Sequence, residues 1–84
     1  VLARNLAVDG GEIDLVVQLG GVRVAVEVRS VLGRDPAVLA FDGAKADRVW
    51  RLARRTRPPC ARVDLVAVRF DGHGVDVHWV PGVS

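Results

Sequence analysis

Gly10-Gly11-Glu12-Ile13-Asp14-Leu15-Val16-Val17, then Gly20-Gly21, then Val24-Ala25-Val26-Glu27-Val28-Arg29-Ser30: two apolar strand patterns, each with an acid in its interior, stand on either side of a two-glycine turn signal. Gly-Gly between apolar runs predicts a hairpin with a primed turn, because glycine accepts the positive φ that such turns demand. Pairing Leu19 with Val22 fixes the register upstream, setting Val17 opposite Val24, Leu15 opposite Val26, Ile13 opposite Val28 and Asp14 opposite Glu27. Ile13, Leu15, Val17 and their partners then form one continuous apolar face, which a slip of one residue would break. Asp14 and Glu27 fall on the other face with Cβ atoms roughly 4.5–5.5 Å apart, a spacing at which like charges repel. Arg29 projects from that second face two residues beyond Glu27, opposite Glu12.

Two explanations fit charges placed this way. A divalent metal held by Asp14 and Glu27 would neutralise them. An ion-pair network among Glu12, Asp14, Glu27 and Arg29 would do the same without a ligand. The residues alone leave both open.

Outward from this hairpin, Val1 to Val8 reads as a first strand, and Asp9-Gly10-Gly11 turns it into the second, Glu12 to Gln18. Val22 to Ser30 is the third. Gly33-Arg34-Asp35-Pro36 breaks the pattern, and residues 31–42 form a connection in which Ala37 to Phe41 has the composition of a short helical turn. Asp42 is the expected N-cap of a helix running to about Thr56, with Ala46, Val49, Trp50 and Ala53 at the spacing of a buried stripe and Pro58-Pro59 as its stop. Arg62 to Phe70 and Val75 to Val80 complete the pattern as two strands joined through Asp71-Gly72-His73-Gly74. The order β-β-β-α-β-β predicts an α/β fold with a mixed sheet, in which the third and fourth strands are parallel neighbours joined by a right-handed crossover through the helix.

Eighty-four residues, half of them apolar, make one domain over residues 1–84 with a single core. The net charge is only +2, yet Lys45, Arg48, Arg51, Arg54, Arg55 and Arg57 crowd into the helical segment and just beyond it. Arg48, Arg51 and Arg55 follow steps of three and four residues, which predicts one basic face opposite the apolar stripe, suited to phosphate contacts or to plain solvation. The single cysteine, Cys60, excludes an internal disulfide, fits a packing role and cannot build a Cys-x-x-Cys zinc site. Asp64 is expected to pair with an arginine, with membership of the acidic site as the other reading. His73 and His78 stand in no ligand spacing. Ser30 has no nucleophile elbow around it, and no Walker or dinucleotide fingerprint occurs, so a nucleotide cofactor is not expected. No signal peptide or apolar run of membrane-spanning length appears, which predicts a cytoplasmic chain. It opens at Val1 already in strand pattern, so a segment preceding Val1 is expected to be missing.

An aspartate on one strand followed across a hairpin by Glu-X-Lys resembles the signature of the restriction-endonuclease-like, or PD-(D/E)XK, nuclease superfamily; here it reads Asp14, then Glu27-Val28-Arg29. More narrowly, Leu2-Ala3-Arg4-Asn5, the block Gly10 to Val16, Val26 to Ser30 and Arg62 to Val68 resemble the YraN-like family of uncharacterised bacterial proteins, related in fold to Holliday-junction resolvases. The resemblance implies a restriction-endonuclease-like fold and Mg²⁺ or Mn²⁺ held by Asp14, Glu27 and the backbone carbonyl of Val28. It implies Asp14, Glu27 and Arg29 as catalytic residues, and DNA, with branched or structured forms included, as the partner contacted by Lys45, Arg48, Arg51 and Arg55. The same kinship suggests a homodimer, which would also protect the sheet's edges.

Three features depart from the family pattern. Arg29 stands where a lysine is usual, and a guanidinium cannot act as a base at neutral pH. The N-terminal family helix, with its additional glutamate, is absent from this chain. The helix after the glutamate strand is shorter than is usual, with its basic residues crowded before Pro58. Lys45, the only lysine, is a candidate to replace the missing ammonium. The same fold with its carboxylates tied up by Arg29 would be a catalytically silent nucleic-acid-binding or scaffold domain.

Overall fold

The structure is a computed structural model and describes residues 1–32, 43–70 and 72–83. Five strands, β1 (Ala3–Val8), β2 (Gly11–Leu19), β3 (Val22–Leu32), β4 (Arg62–Phe70) and β5 (Val75–Val80), form one sheet in chain order, with α1 (Gly43–Arg55) inserted between β3 and β4. Every expected strand is present, and β3 runs two residues further than its sequence pattern suggested. The expected breaker Gly33 to Pro36, the turn Ala37 to Phe41 and the N-cap Asp42 lie outside the described residues.

Turn chemistry sets the pairing. Gly10, at φ 103°, closes a two-residue connection between Val8 and Gly11, and Gly20, at φ 60°, opens the one that pairs Leu19 with Val22. β3 and β4 pair in parallel from Val24 with Arg62 to Leu32 with Phe70, as expected for strands joined through a helix, and β5 returns antiparallel to β4. The result is a mixed α/β sheet with one helix on one face.

α1 buries Ala46, Val49, Leu52 and Ala53. These pack with Ile13, Val16, Ala25, Val63 and Leu65 of the sheet and with Cys60 just past the helix. Trp50, expected in the stripe, is only half-buried. Leu52 takes the place expected of Trp50, because the sheet meets the helix along the side facing the β1–β2 turn, where both methyl groups of Leu52 come close to Gly11. Thr56 ties off the helix end, its hydroxyl lying 2.8 Å from the Ala53 carbonyl and 2.9 Å from that of Pro58. Buried Cys60 donates its backbone N–H to the same Ala53 carbonyl, which is the packing role expected of it.

One part of the predicted register needs correction. Val17 opposite Val24 and Leu15 opposite Val26 are both observed, but the β2–β3 ladder ends there, and Ile13 does not share a face with Leu15 and Val17. Ile13 and Val16, three residues apart, both enter the helix-side core. Strict alternation over that interval would place them on opposite faces. On the neighbouring strand Ala3 and Leu6 both pack against the same core, and the β1–β2 ladder passes over the pair Asn5 and Asp14 while keeping its register on either side. Asn5 has φ 49°, a left-handed conformation that asparagine tolerates. The local distortion at Asn5 and Asp14 therefore switches the faces of both strands, as bulges do.

Candidate metal centre

The switch of faces decides where Asp14 goes. Glu27 follows Ala25 on the helix-side face of β3 and is 9% exposed, wedged beside its ladder partner Leu65. Past the end of the β2–β3 ladder, Asp14 fills the gap with its side chain: Oδ2 accepts the backbone N–H of Val28 at 2.8 Å. The Asp14 and Glu27 carboxyl groups lie close enough for Asp14 to raise the Glu27 pKa. The structure thus brings the two predicted acids together, by a route other than the flat cross-strand pairing read from the sequence. The N–H and C=O of one strand residue project toward the same neighbour. Val28 therefore turns its carbonyl toward the gap that Asp14 occupies.

Burial is the main cause of an elevated Glu27 pKa of about 7, against an ordinary 4.5; the neighbouring Asp14 charge and its hydrogen bond push the same way, while Arg29 and Arg48 pull down. The Arg29 guanidinium lies 3.4 Å from Glu27 Oε1, and its Nε is buried without a hydrogen-bond partner. Glu12, expected to join this cluster, is exposed and pairs through its backbone with Ala7 on β1; the distortion at Asp14 puts it on the face opposite Ile13. The ion pair is thus Arg29 with Glu27.

Two carboxylates and a turned backbone carbonyl offer the oxygen donors a hard divalent cation takes, and burial, with the Asp14 charge beside it, disfavours a lone negative charge on Glu27. Asp14, Glu27 and Val28 therefore fit Mg²⁺ or Mn²⁺. Among the described residues no group of three His, Cys, Asp or Glu side chains gathers around a common point, so the acidic side chains at this place are the two, Asp14 and Glu27.

The basic helix divides where a single face was expected. Arg55 donates to the Asp9 carbonyl at 2.6 Å and Arg48 reaches over Gly11, so both lean across the β1–β2 turn, and Arg48 is close enough to lower the Glu27 pKa. Arg51 points round the helix into a groove shared with Ala44, Asp47, Trp50 and Arg54, where the Arg54 guanidinium lies 5.7 Å from the Trp50 ring centre. Lys45 is exposed in the first turn of α1. Helical steps of three and four residues gave no sign of this split, which follows from where the β1–β2 turn passes under the helix.

Asp64 lies on the other side of the sheet and has no part in the acidic pair. Its fully buried carboxylate takes two hydrogen bonds from Arg62, at 2.8 and 2.9 Å, one from the Trp79 indole at 2.8 Å and one from the Gly82 N–H at 3.0 Å. Burial alone would raise its pKa, but these donors outweigh burial and hold it below the ordinary carboxylate value. The arginine partner was expected; Trp79 and Gly82, fifteen and eighteen residues away, were not. His73 and His78 are both exposed. Among the described residues no helix is long and apolar enough to cross a membrane.

Residues 1–71 match the model of the uncharacterised protein family UPF0102. A UPF0102 protein of Halorhodospira halophila is 45% identical over 84 residues, which cover 94% of this chain and 66% of that protein. One of Geobacter metallireducens is 32% identical, covering 96% of this chain and 73% of the relative, and one of Symbiobacterium thermophilum is 41% identical, covering 81% and 64%. The chain therefore spans only about two-thirds of the length of these relatives. No solved structure matches the chain.

Proposed function

The chain belongs to the uncharacterised protein family UPF0102, as its resemblance to the YraN-like proteins implied, and we propose that it is a metal-dependent nuclease of restriction-endonuclease-like fold that hydrolyses phosphodiester bonds in DNA. The observation that carries this reading is the meeting of Asp14 and Glu27 in a gap between β2 and β3, with a Glu27 pKa near 7. Nothing in the packing requires two acids there, and two carboxylates this close repel each other once both are ionised. A divalent cation held by Asp14, Glu27 and the Val28 carbonyl supplies Lewis acidity toward a phosphate oxygen and toward water.

The chain's own residues supply the rest. Arg29 carries a buried Nε–H without a partner, a donor that a phosphate oxygen beside the acids would satisfy. Being always protonated, it stabilises charge on the scissile phosphate and removes no proton. Arg48, close enough to lower the Glu27 pKa, extends that positive field along α1, Lys45 and Arg55 add to it for a phosphate backbone, and Arg51, turned round the helix, would meet that backbone further from the acids. DNA in branched or structured form is the substrate class suggested by kinship with the resolvases.

A silent nucleic-acid-binding or scaffold domain is the second reading, favoured by one observation: the 3.4 Å ion pair in which Arg29 already engages Glu27. Incubating the protein with Mn²⁺ and both a four-way junction and a linear duplex separates the two. Cleavage that falls by at least about a hundredfold in Asp14→Asn and in Glu27→Gln supports the nuclease. Binding of either DNA with no cleavage by the parent protein supports the silent domain.

A further inference from the structure

Trp50 is the residue of α1 that the buried stripe leaves unexplained. Leu52 fills the place expected of it in the core, and Trp50 stays half-buried beside the exposed residues Ala44, Asp47, Arg51 and Arg54, with which it lines a groove along the helix. Its indole N–H is buried and meets no acceptor among the described residues. Trp79, the other tryptophan, donates its own to Asp64. Trp50 is therefore not anchored by its polar tip, and what it offers the groove is its ring. The Arg54 guanidinium lies over that ring, 5.7 Å from its centre, looser than the separation of about 3.5 Å at which stacked planes touch.

We propose that this groove binds an unpaired nucleotide of a single-stranded nucleic acid, with its base stacked on Trp50 and its phosphates held by Arg51 and Arg54. The helix carries five basic residues against one acid, so a polyanion is the favoured occupant. Trp50 is the only aromatic residue of α1. Every nucleobase presents a flat π face to such a ring, and a guanidinium plane covers the other side of the base. A base between Trp50 and Arg54 needs about 7 Å, twice the contact separation, so the exposed Arg54 has to swing out by only about 1 Å. Arg51 and Arg54, three residues apart, offer charged donors on one side of the helix. Asp47, one turn before Arg51, repels phosphate and confines the sugar–phosphate chain to the arginine end of the groove. A duplex cannot use the ring, because its bases are stacked on one another and show only their edges.

The groove lies round the helix from Arg48 and Arg55, which lean across the β1–β2 turn. A strand held on Trp50 is therefore set apart from the acidic pair, so the groove takes an unpaired arm of the substrate and not the bond that is cut. Nucleic acid as the partner rests on the reading above, whereas stacking needs neither metal nor cleavage, and the test is run without metal.

In Trp79→Phe, Trp50 is the sole tryptophan, and its fluorescence reports stacking directly. With a chelator present, an oligothymidylate of about twelve nucleotides is expected to quench that emission, and a blunt hairpin duplex with the same number of phosphates to leave it unchanged. In the otherwise unaltered chain, Trp50→Leu is expected to weaken oligothymidylate binding, read by fluorescence anisotropy, by at least about fivefold, the low end for loss of one stacked base. Duplex binding should change by less than about twofold, with the far-ultraviolet circular dichroism of the parent retained. Should Trp50→Leu fail to fold, the quenching of native Trp50 decides alone. Oligothymidylate that fails to bind, or that binds without quenching Trp50, overturns the proposal, as does equal quenching by the duplex. Quenching in a protein that cleaves no DNA supports this site and counts against the nuclease alone.

Discussion

The Oδ2 atom of Asp14 accepts the backbone N–H of Val28 at 2.8 Å, so a side chain takes over from the ladder at the point where β2 and β3 part. That one bond holds Asp14 beside Glu27, close enough to raise the Glu27 pKa. The chemistry proposed for the site follows from this substitution of a side-chain acceptor for a backbone one.

The first prediction concerns pH. Glu27 has a folded pKa of about 7 against 4.5, so the folded state keeps a proton that the unfolded chain has already released. Its favourable contribution is fully present below about pH 4.5 and is lost as pH rises through about 7. Urea unfolding of the metal-free protein should therefore show stability falling over that window by up to about 3 kcal/mol, and Glu27→Gln should abolish the fall. A parent with the same slope as the variant would refute the assignment.

Asp64 behaves in the opposite sense. Its pKa is held below the ordinary carboxylate value, so its contribution is present above about pH 4 and is lost as pH falls through the lower folded value. Asp64→Ala leaves the Trp79 indole and the Gly82 N–H without their acceptor and should cost about 3 kcal/mol in a denaturant titration at pH 7. Trp79→Phe, which removes one neutral donor, should cost about 1 kcal/mol.

Gly10 sits under the helix. A Cβ there would lie 2.6 Å from a guanidinium nitrogen of Arg55, and the residue's φ of 103° disfavours any side chain. Gly10→Ala should cost at least about 1 kcal/mol and disturb the Arg55 hold on the Asp9 carbonyl. Gly21→Ala, where nothing lies within 4 Å, is the matched control and should be near neutral.

Arg29 is one of two charges that lower the Glu27 pKa. Arg29→Ala should therefore raise that pKa further, which a carbon-detected NMR titration of the Glu27 carboxyl group reads directly. Arg29→Lys restores the family's usual residue and should increase Mn²⁺-dependent cleavage by roughly a hundredfold, the low end of what a positioned proton-transfer group contributes. A Glu27 titration curve unmoved by Arg29→Ala would remove the electrostatic role assigned to it.

The element order was legible because the chain is heavily punctuated: Gly10, Gly20 and Pro58 act locally, and local rules suffice to read them. The pairing of Asp14 with Glu27 was legible as proximity but not as geometry. Alternation within one strand carries no sign of a switch of faces that two strands make jointly, and the only hint, Asn5 in an apolar strand, gains meaning once its neighbour is known to be Asp14. Leu52 was missed for a related reason, since which side of a helix is buried depends on where a distant turn passes. Two partners of Asp64, Trp79 and Gly82, were out of reach because they come from β5 and the turn beyond it.

Calorimetric titration of Mn²⁺ at pH 8, where Glu27 is ionised, tests the central claim most directly. One site per chain is expected in the parent protein, with its heat lost in Asp14→Asn and in Glu27→Gln. Equal heats in parent and variants, or none in any of them, would contradict the assignment of these two carboxylates as a metal centre.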